Sequence, residues 1–384
     1  MIYHICPHFD SFIKTAIDRF ELIKPGFNRC IELYDEIPGV TNMKIRESEE
    51  YVFISCSYKD AEWGNALLSD CTGIIIHHLM DYMLDPILSL PEHIKIYFRS
   101  YGGDIFDLIY DADKNFYFPG TERILKRNFP VKYVFQPAMN KVYCTLIPHK
   151  RHWETTKEKK VSLLRRLFAI GTSCPYEYDI ILNSLPELRL KYLRLGYFPL
   201  TDVESPKGNS AKVNIVVGHS NSPGQNHLDA FELLSKYNIN GEIIAPLTYV
   251  DSKYTKAVIK EGYRILKSKF RPLIEFMPKD DYFQILSSAY AFIELSIFQQ
   301  GLGNIMYMLK QGSNVYLPKE NPFYIYCRNV GITIFSVEDD LCEEHLINHR
   351  LNQSEISLNN KLLNEFYSSD VDNDTAKIII NNFK

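Results

Sequence analysis

The chain has 384 residues, of which 46% are hydrophobic and 13% aromatic, and a formal net charge of −4. At ~100–200 residues per domain this length fits two domains with enough apolar material to need no disulfide staple. The mildly acidic balance excludes the broad positive field that gathers nucleic acid. The eight cysteines form no C-x-x-C pair and the first residues lack a basic start followed by an apolar run, so reduced thiols in a cytoplasm are expected. No stretch approaches the ~20 apolar residues of a spanning helix.

Apolar, β-rich runs followed by segments of helical period recur along the chain, the pattern of parallel strands with crossover helices. Ile2 to Ile5 reads as a strand and Ser11 to Leu22 as its helix, with Ser11 as N-cap and Phe12, Ala16, Ile17 and Phe20 on the buried stripe. Strands are expected at Tyr51 to Ser55, Gly73 to His77 and Ile94 to Phe98, with a helix from Leu79 to Leu90. The alternation restarts at Val213 to Val217, with a helix from Asn226 to Tyr237 and strands at Glu242 to Ala245, Leu273 to Met277, Ala291 to Leu295 and Asn314 to Leu317. The polar Pro/Gly/Ser run from Thr201 to Ser210 suits a linker, which predicts domains at residues 1–200 and 211–384, the second ending in a helical segment with Leu358, Leu362, Leu363 and Phe366 turned inward. Charge is uneven: residues 123–166 hold 12 Lys/Arg against 2 Glu, and 337–376 hold 10 Asp/Glu against 2 Lys/Arg.

Two loops carry the densest chemistry. In the run from Ala291 to Asn304 a strand leads into Gly301-Leu302-Gly303 and a helix from Asn304 to Lys310. Glycines admit close approach of a phosphate, and the free N–H groups and dipole of a first helical turn favour anions. The third glycine of a dinucleotide fingerprint is absent, since Met306 stands there, so NAD is disfavoured. The loop from Gly218 to His227 opens a helix in the same way, and in an open α/β sheet such loops border the ligand site.

These residues also carry a family resemblance. Gly218-His219-Ser220 with Asn226-His227, the run Phe298-Gln299-Gln300-Gly301-Leu302-Gly303, and Asn321-Pro322-Phe323 resemble the TDP-N-acetylfucosamine:lipid II N-acetylfucosaminyltransferases, glycosyltransferase family 56. A thinner likeness lies in Arg99 to Phe106 around Gly102-Gly103-Asp104, with departures at Tyr101, Ile105 and Phe106, and in the turn Cys6-Pro7-His8-Phe9-Asp10. The resemblance implies a GT-B fold: two Rossmann-like α/β domains with parallel sheets facing across a cleft, the first binding acceptor and the second nucleotide-sugar. It implies transfer of a deoxy-amino sugar, such as 4-acetamido-4,6-dideoxygalactose, from a dTDP-sugar to a polyprenyl-diphosphate-linked saccharide. The enzyme is then expected to be cytoplasmic and peripheral on the inner face of the cytoplasmic membrane.

Under this reading the donor and its diphosphate meet Gly218, Ser220, Asn221, Asn226, Glu294, Phe298, Gln299, Gln300, Gly301, Leu302, Gly303 and Asn304, and the nucleobase passes Phe276 and Met277. Charge on the departing nucleotide is offset by main-chain amides, so no metal or other cofactor is expected. An inverting transfer needs a base; Asp104 and His8, with Asp10, are favoured, while His77 and His78 are further histidines at a strand end. Membrane contact is expected from Lys150, Arg151, Trp153, Lys157, Lys160, Arg165 and Arg166, on a segment with an apolar stripe at Val161, Leu164, Leu167 and Phe168. Two alternatives stand beside this: a metal-dependent GT-A-like transferase using Asp111 and Asp113, and a non-catalytic nucleotide-sugar-binding protein.

Overall fold

A computed structural model describes residues 1–34, 44–47, 52–57, 69–110, 114–135, 152–196, 212–248 and 253–383. The strands are β1 (Ile2–Cys6), β2 (Asn28–Tyr34), β3 (Lys44–Glu47), β4 (Val52–Ser57), β5 (Gly73–His77), β6 (Lys95–Arg99), β7 (Ala169–Gly171) and β8 (Lys191–Tyr192), then β9 (Asn214–Val217), β10 (Ile243–Pro246), β11 (Phe270–Leu273), β12 (Ala289–Ile293), β13 (Asn314–Leu317) and β14 (Phe335–Ser336). The first eight form one sheet in the order β3-β4-β2-β1-β5-β6-β7-β8, and the other six a second sheet in the order β11-β10-β9-β12-β13-β14. All recorded pairings are parallel except the edge pair β3–β4. Central strands such as Ile2–Cys6, Gly73–His77 and Ala289–Ile293 are buried along their whole length, as strands covered by helices on both faces must be.

The first unit comprises Met1–Ala112, Lys150–Pro199 and Tyr367–Lys384, and the second Asp113–His149 and Leu200–Phe366. The expected split at 201–210 lies outside the described residues, and two segments depart from the simple halves. The helix Pro119–Asn128 contributes Ile124 and Leu125 to the core around β9, β10 and β12. The helix Ser369–Asn382 covers the first sheet with Ala376, Ile379 and Ile380, joined by Phe383 just after it, packed among Ile2, Phe20, Ile75 and Tyr97. Phe383 lies so close to Gly73 that a Cβ there would stand 2.1 Å from the ring, so the strand must offer bare backbone at that point. Asp372, fully buried on this helix, pairs with Arg194 and, at 2.7 Å, with Arg19, and accepts the Gly196 amide at 2.7 Å. Each fully buried aliphatic or aromatic side chain contributes ~1.5–3 kcal/mol, which explains why the C-terminal helix belongs to the first unit.

Local differences have local causes. The first helix is capped by Asp10, whose carboxylate accepts the Ile13 amide, rather than by Ser11, and Ile13 takes the inward place expected for Phe12, which is 39% exposed. The strand expected at 273–277 is Phe270–Leu273; Pro278 stands at the N-cap of the helix Lys279–Ser287 that follows, and Phe276 lies outside the sheet. Leu363 of the helix Gln353–Tyr367 is buried as expected, whereas Leu358 is exposed.

Candidate functional site

Strands β9 and β12 are adjacent, so the loops at their carboxyl ends adjoin. Gly218 follows β9 at φ +68°, a left-handed conformation that glycine adopts without strain, and its amide donates to Ile293 O at 2.9 Å. The His219 amide then donates to the buried Gln225 Oε1 at 3.0 Å. On the other loop Gly301, at φ +60°, is the N-cap of the helix Leu302–Lys310. The first bond of that helix runs from the Ile305 amide to Gly301 O, leaving the amides of Leu302, Gly303 and Asn304 outside its ladder.

Beneath this turn lies a buried polar group. Glu294, fully buried, places Oε2 3.0 Å from His219 Nδ1, and its Oε1 has no hydrogen-bond partner among the described residues. Buried Nε2 atoms of Gln225 and Gln300 are likewise without partners among those residues. Unsatisfied buried polar atoms are costly, at ~1–3 kcal/mol each, and cluster where a ligand completes them. His227, also buried, is held neutral: burial first, and then His219, push its pKa down to about 3.

The residues expected to bind donor are therefore brought together, but not all with free side chains. Asn226 uses Nδ2 on Leu295 O at 2.8 Å and on Phe116 O at 3.2 Å, while its Oδ1 accepts the Phe118 amide at 2.8 Å. Asn221 donates to Thr255 Oγ1 and Asn304 to Tyr282 Oη. These bonds commit the Asn226 side chain to the loops and engage one Nδ2 hydrogen bond each of Asn221 and Asn304. Phe298 packs edge-on to Phe116 and fills the space that a Cβ on Gly224 would enter. Asn321 donates to Ser296 O and Phe298 O, fixing the same loop from below. Gln299 is buried, Ser220 half-buried, and Gly303 exposed, with open space where its Cβ would stand. Phe276 is 85% exposed, with Met277 beside it in the loop after β11.

A second cluster follows β1, β5 and β6 in the first unit. His8 is exposed, with Nε2 3.5 Å from Asp10 Oδ2. His78, at φ +57°, is a histidine in the left-handed region, and such strain gathers at functional sites. Its ring lies 5.9 Å from that of His8 and 5.0 Å from that of Tyr101; burial lowers its pKa, opposed by Asp104. Asp104 itself is buried, with Oδ1 accepting from Ser100 Oγ at 2.5 Å and from the amides of Tyr101 and Gly102, and Oδ2 from the Leu79 amide at 3.1 Å. The Tyr101 amide is shared with Oδ2 at 3.1 Å, so both carboxylate oxygens already accept hydrogen bonds from the two loops. His77 is buried on the opposite face, hydrogen-bonded to His4 at 3.0 Å, and burial holds its pKa well below the usual range.

The apolar side of the basic segment is turned to the protein. In the helix His152–Arg166, Lys160 pairs with Asp107 at 2.9 Å, Lys159 with Asp85 and Arg165 with Glu187, while Arg166 donates to Ile87 O, Leu88 O and Pro91 O. Leu163, Leu164 and Leu167 are buried in the core of the first unit. The apolar stripe is thus consumed by packing and Lys160 is buried with it, whereas Arg165 stays on the surface. Lys157 is half-buried, and Lys150, Arg151, Asp111, Asp113 and the side chain of Trp153 lie outside the described residues. Among those residues no helix is long and apolar enough to cross a membrane and no group of three or more His, Cys, Asp or Glu is arranged to hold a metal ion.

Residues 193–377 match the family model described as 4-alpha-L-fucosyltransferase, glycosyl transferase group 56. Among solved structures, the chain is similar over 100% of its length to 98% of a UDP-forming trehalose-phosphate synthase from Burkholderia xenovorans, with a TM-score of 0.63 at 9% identity. It is similar, again over 100% of its length, to 99% of the E. coli trehalose-6-phosphate protein solved with UDP-2-fluoro glucose, with a TM-score of 0.59 at 12% identity. Sucrose-phosphate synthase from Thermosynechococcus elongatus gives a TM-score of 0.58 at 9% identity, covering 100% of this chain and 95% of that one. These likenesses establish the fold, which is GT-B.

Proposed function

We propose that this chain, whose residues 193–377 match the group 56 family model, is a glycosyltransferase that moves a deoxy-amino sugar from a dTDP-sugar to a polyprenyl-diphosphate-linked saccharide at the inner face of the cytoplasmic membrane. The observation that carries the donor half is the left-handed Gly301 turn, which presents the amides of Leu302, Gly303 and Asn304 beside a buried, half-satisfied Glu294. Amides and helix dipole together compensate the charge that develops on a departing diphosphate, so the reaction proceeds without a metal. Glu294 Oε1 and Gln300 Nε2 are offered to hydroxyl or amide groups of the donor, and Phe276 to the nucleobase. The lipid-linked acceptor and the identity of the sugar rest on the family likeness.

In the first unit His8 serves as the base of an inverting displacement. Its imidazole is exposed and backed by Asp10, whose other oxygen is committed to the helix cap. Asp104 holds the Gly102-Gly103 turn in place rather than taking the proton. The test is incubation with a panel of nucleotide-sugars and a polyprenyl-diphosphate saccharide: sugar transfer from the dTDP donor supports the reading, and binding without transfer, or transfer only from other donors, refutes it.

A further inference from the structure

His219 was not among the residues its sequence context marks as a donor contact, yet its ring occupies the closest position to the Gly301 turn. A Cβ placed on Gly301 would stand 2.3 Å from His219 Nδ1 and 2.7 Å from Cε1 and Cγ, so the imidazole lies directly against the glycine Cα. The main chain on either side is fixed by the Gly218 amide on Ile293 O and the His219 amide on Gln225 Oε1. The titratable groups facing the ring are Glu294, from the end of β12, and the neutral His227, from the helix after β9. With Nδ1 committed to Glu294, Nε2 is the ring nitrogen left for a ligand.

We propose that His219 is a leaving-group residue: on arrival of a nucleoside diphosphate the imidazole takes up a proton, so that Nδ1–H donates to Glu294 and Nε2–H to a non-bridging phosphate oxygen beside the Leu302–Asn304 amides. This rests on the reading that those amides hold the diphosphate. In the transfer step the bond between the sugar C1 and the diphosphate oxygen breaks with its electron pair passing to the diphosphate. The acceptor oxygen bonds to C1 and yields its proton to the base. His219 keeps its own proton and adds one charge-assisted hydrogen bond to the developing negative charge. The fully buried carboxylate, one oxygen on the ring and the other unpartnered among the described residues, is what a cation at this position requires.

The experiment is calorimetry of the full chain with dTDP at pH 8, in two buffers of different ionisation enthalpy, with thymidine as the phosphate-free control and thermal unfolding as the check on folding. Binding of dTDP by the unsubstituted protein is expected to take up a proton. His219→Gln is expected to bind dTDP about tenfold or more weakly, without that uptake and with thymidine binding unchanged. Glu294→Gln, which keeps the ring, is expected to reduce the uptake as well. Equal dTDP affinity and equal proton uptake in His219→Gln would overturn the assignment while leaving the diphosphate site standing. Failure of the unsubstituted protein to bind dTDP would overturn both.

Discussion

The Leu79 amide donates to Asp104 Oδ2 at 3.1 Å, joining the loop after β5 to the turn after the neighbouring β6. With Ser100, Tyr101 and Gly102 donating to the same carboxylate, Asp104 is the knot that holds these two loops together. Asp104→Asn places an amide group against donors and is expected to destabilise the protein by about 1–3 kcal/mol. The unfolding temperature should fall by several degrees while residual turnover keeps the same pH profile. Loss of turnover with an unchanged unfolding temperature would restore Asp104 as the base.

His8→Ala is expected to lower kcat by a factor of about 10²–10⁴ with nucleotide affinity and thermal stability intact. Asp10 has two tasks, which separate by substitution: Asp10→Ser keeps a side-chain acceptor for the Ile13 amide and loses the partner of His8. Its stability should remain near that of the unsubstituted protein while kcat falls. Full activity in Asp10→Ser would show that His8 acts without it.

The two glycines of the Gly301 turn are expected to respond differently. Gly301→Val forces a branched side chain into φ +60° and onto the His219 ring, so it should lose both stability and dTDP binding. Gly303→Ala meets no atom within 4 Å. Its unfolding temperature should hold, while the methyl group intrudes where the diphosphate would lie and weakens dTDP measurably in calorimetry. Unchanged affinity would remove the ligand from that space.

Glu177 supplies a pH signature. Buried beside Cys174, it has its pKa raised from 4.5 to about 8, chiefly by burial, with Asp104 adding to the rise and the Cys174 amide opposing it. Between those two values the unfolded chain releases a proton that the folded chain retains, so the residue's contribution to stability falls as pH rises from about 4.5 to about 8 and is level outside that window. Glu177→Gln cannot ionise. Its unfolding temperature relative to the unsubstituted protein should rise between pH 5 and pH 8, and a constant difference would contradict the buried, protonated state.

Asp372 tests the placement of the C-terminal helix. Asp372→Asn leaves Arg19 and Arg194 buried without their counter-charge, at a cost of about 3–5 kcal/mol. Limited proteolysis should then release the segment after Tyr367 early. A variant as resistant as the unsubstituted protein would argue that the helix is held by its apolar face alone.

Local pattern carried much of this into the sequence. Gly301 announces itself because a strand, a glycine and a helix follow one another, and Gly218 does so in the same way. The His219–Glu294 pair does not, since the two residues are 75 positions apart and meet only because β9 and β12 are neighbours, an order that no local period encodes. The same holds for Arg19, Arg194 and Asp372. The helix His152–Arg166 differs for another reason: a basic helix with an apolar stripe has one signature whether its stripe meets lipid or a core, and only the burial of Leu163, Leu164 and Leu167 among residues remote in sequence decides where the stripe goes.

The central claim is that main-chain amides at the Gly301 turn grip a diphosphate, and a crystal structure with dTDP tests it most directly. The β-phosphate oxygens are expected within about 3.2 Å of the Leu302, Gly303 and Asn304 amides, with the thymine near Phe276. Nucleotide bound at another place, with those three amides unengaged, would contradict it.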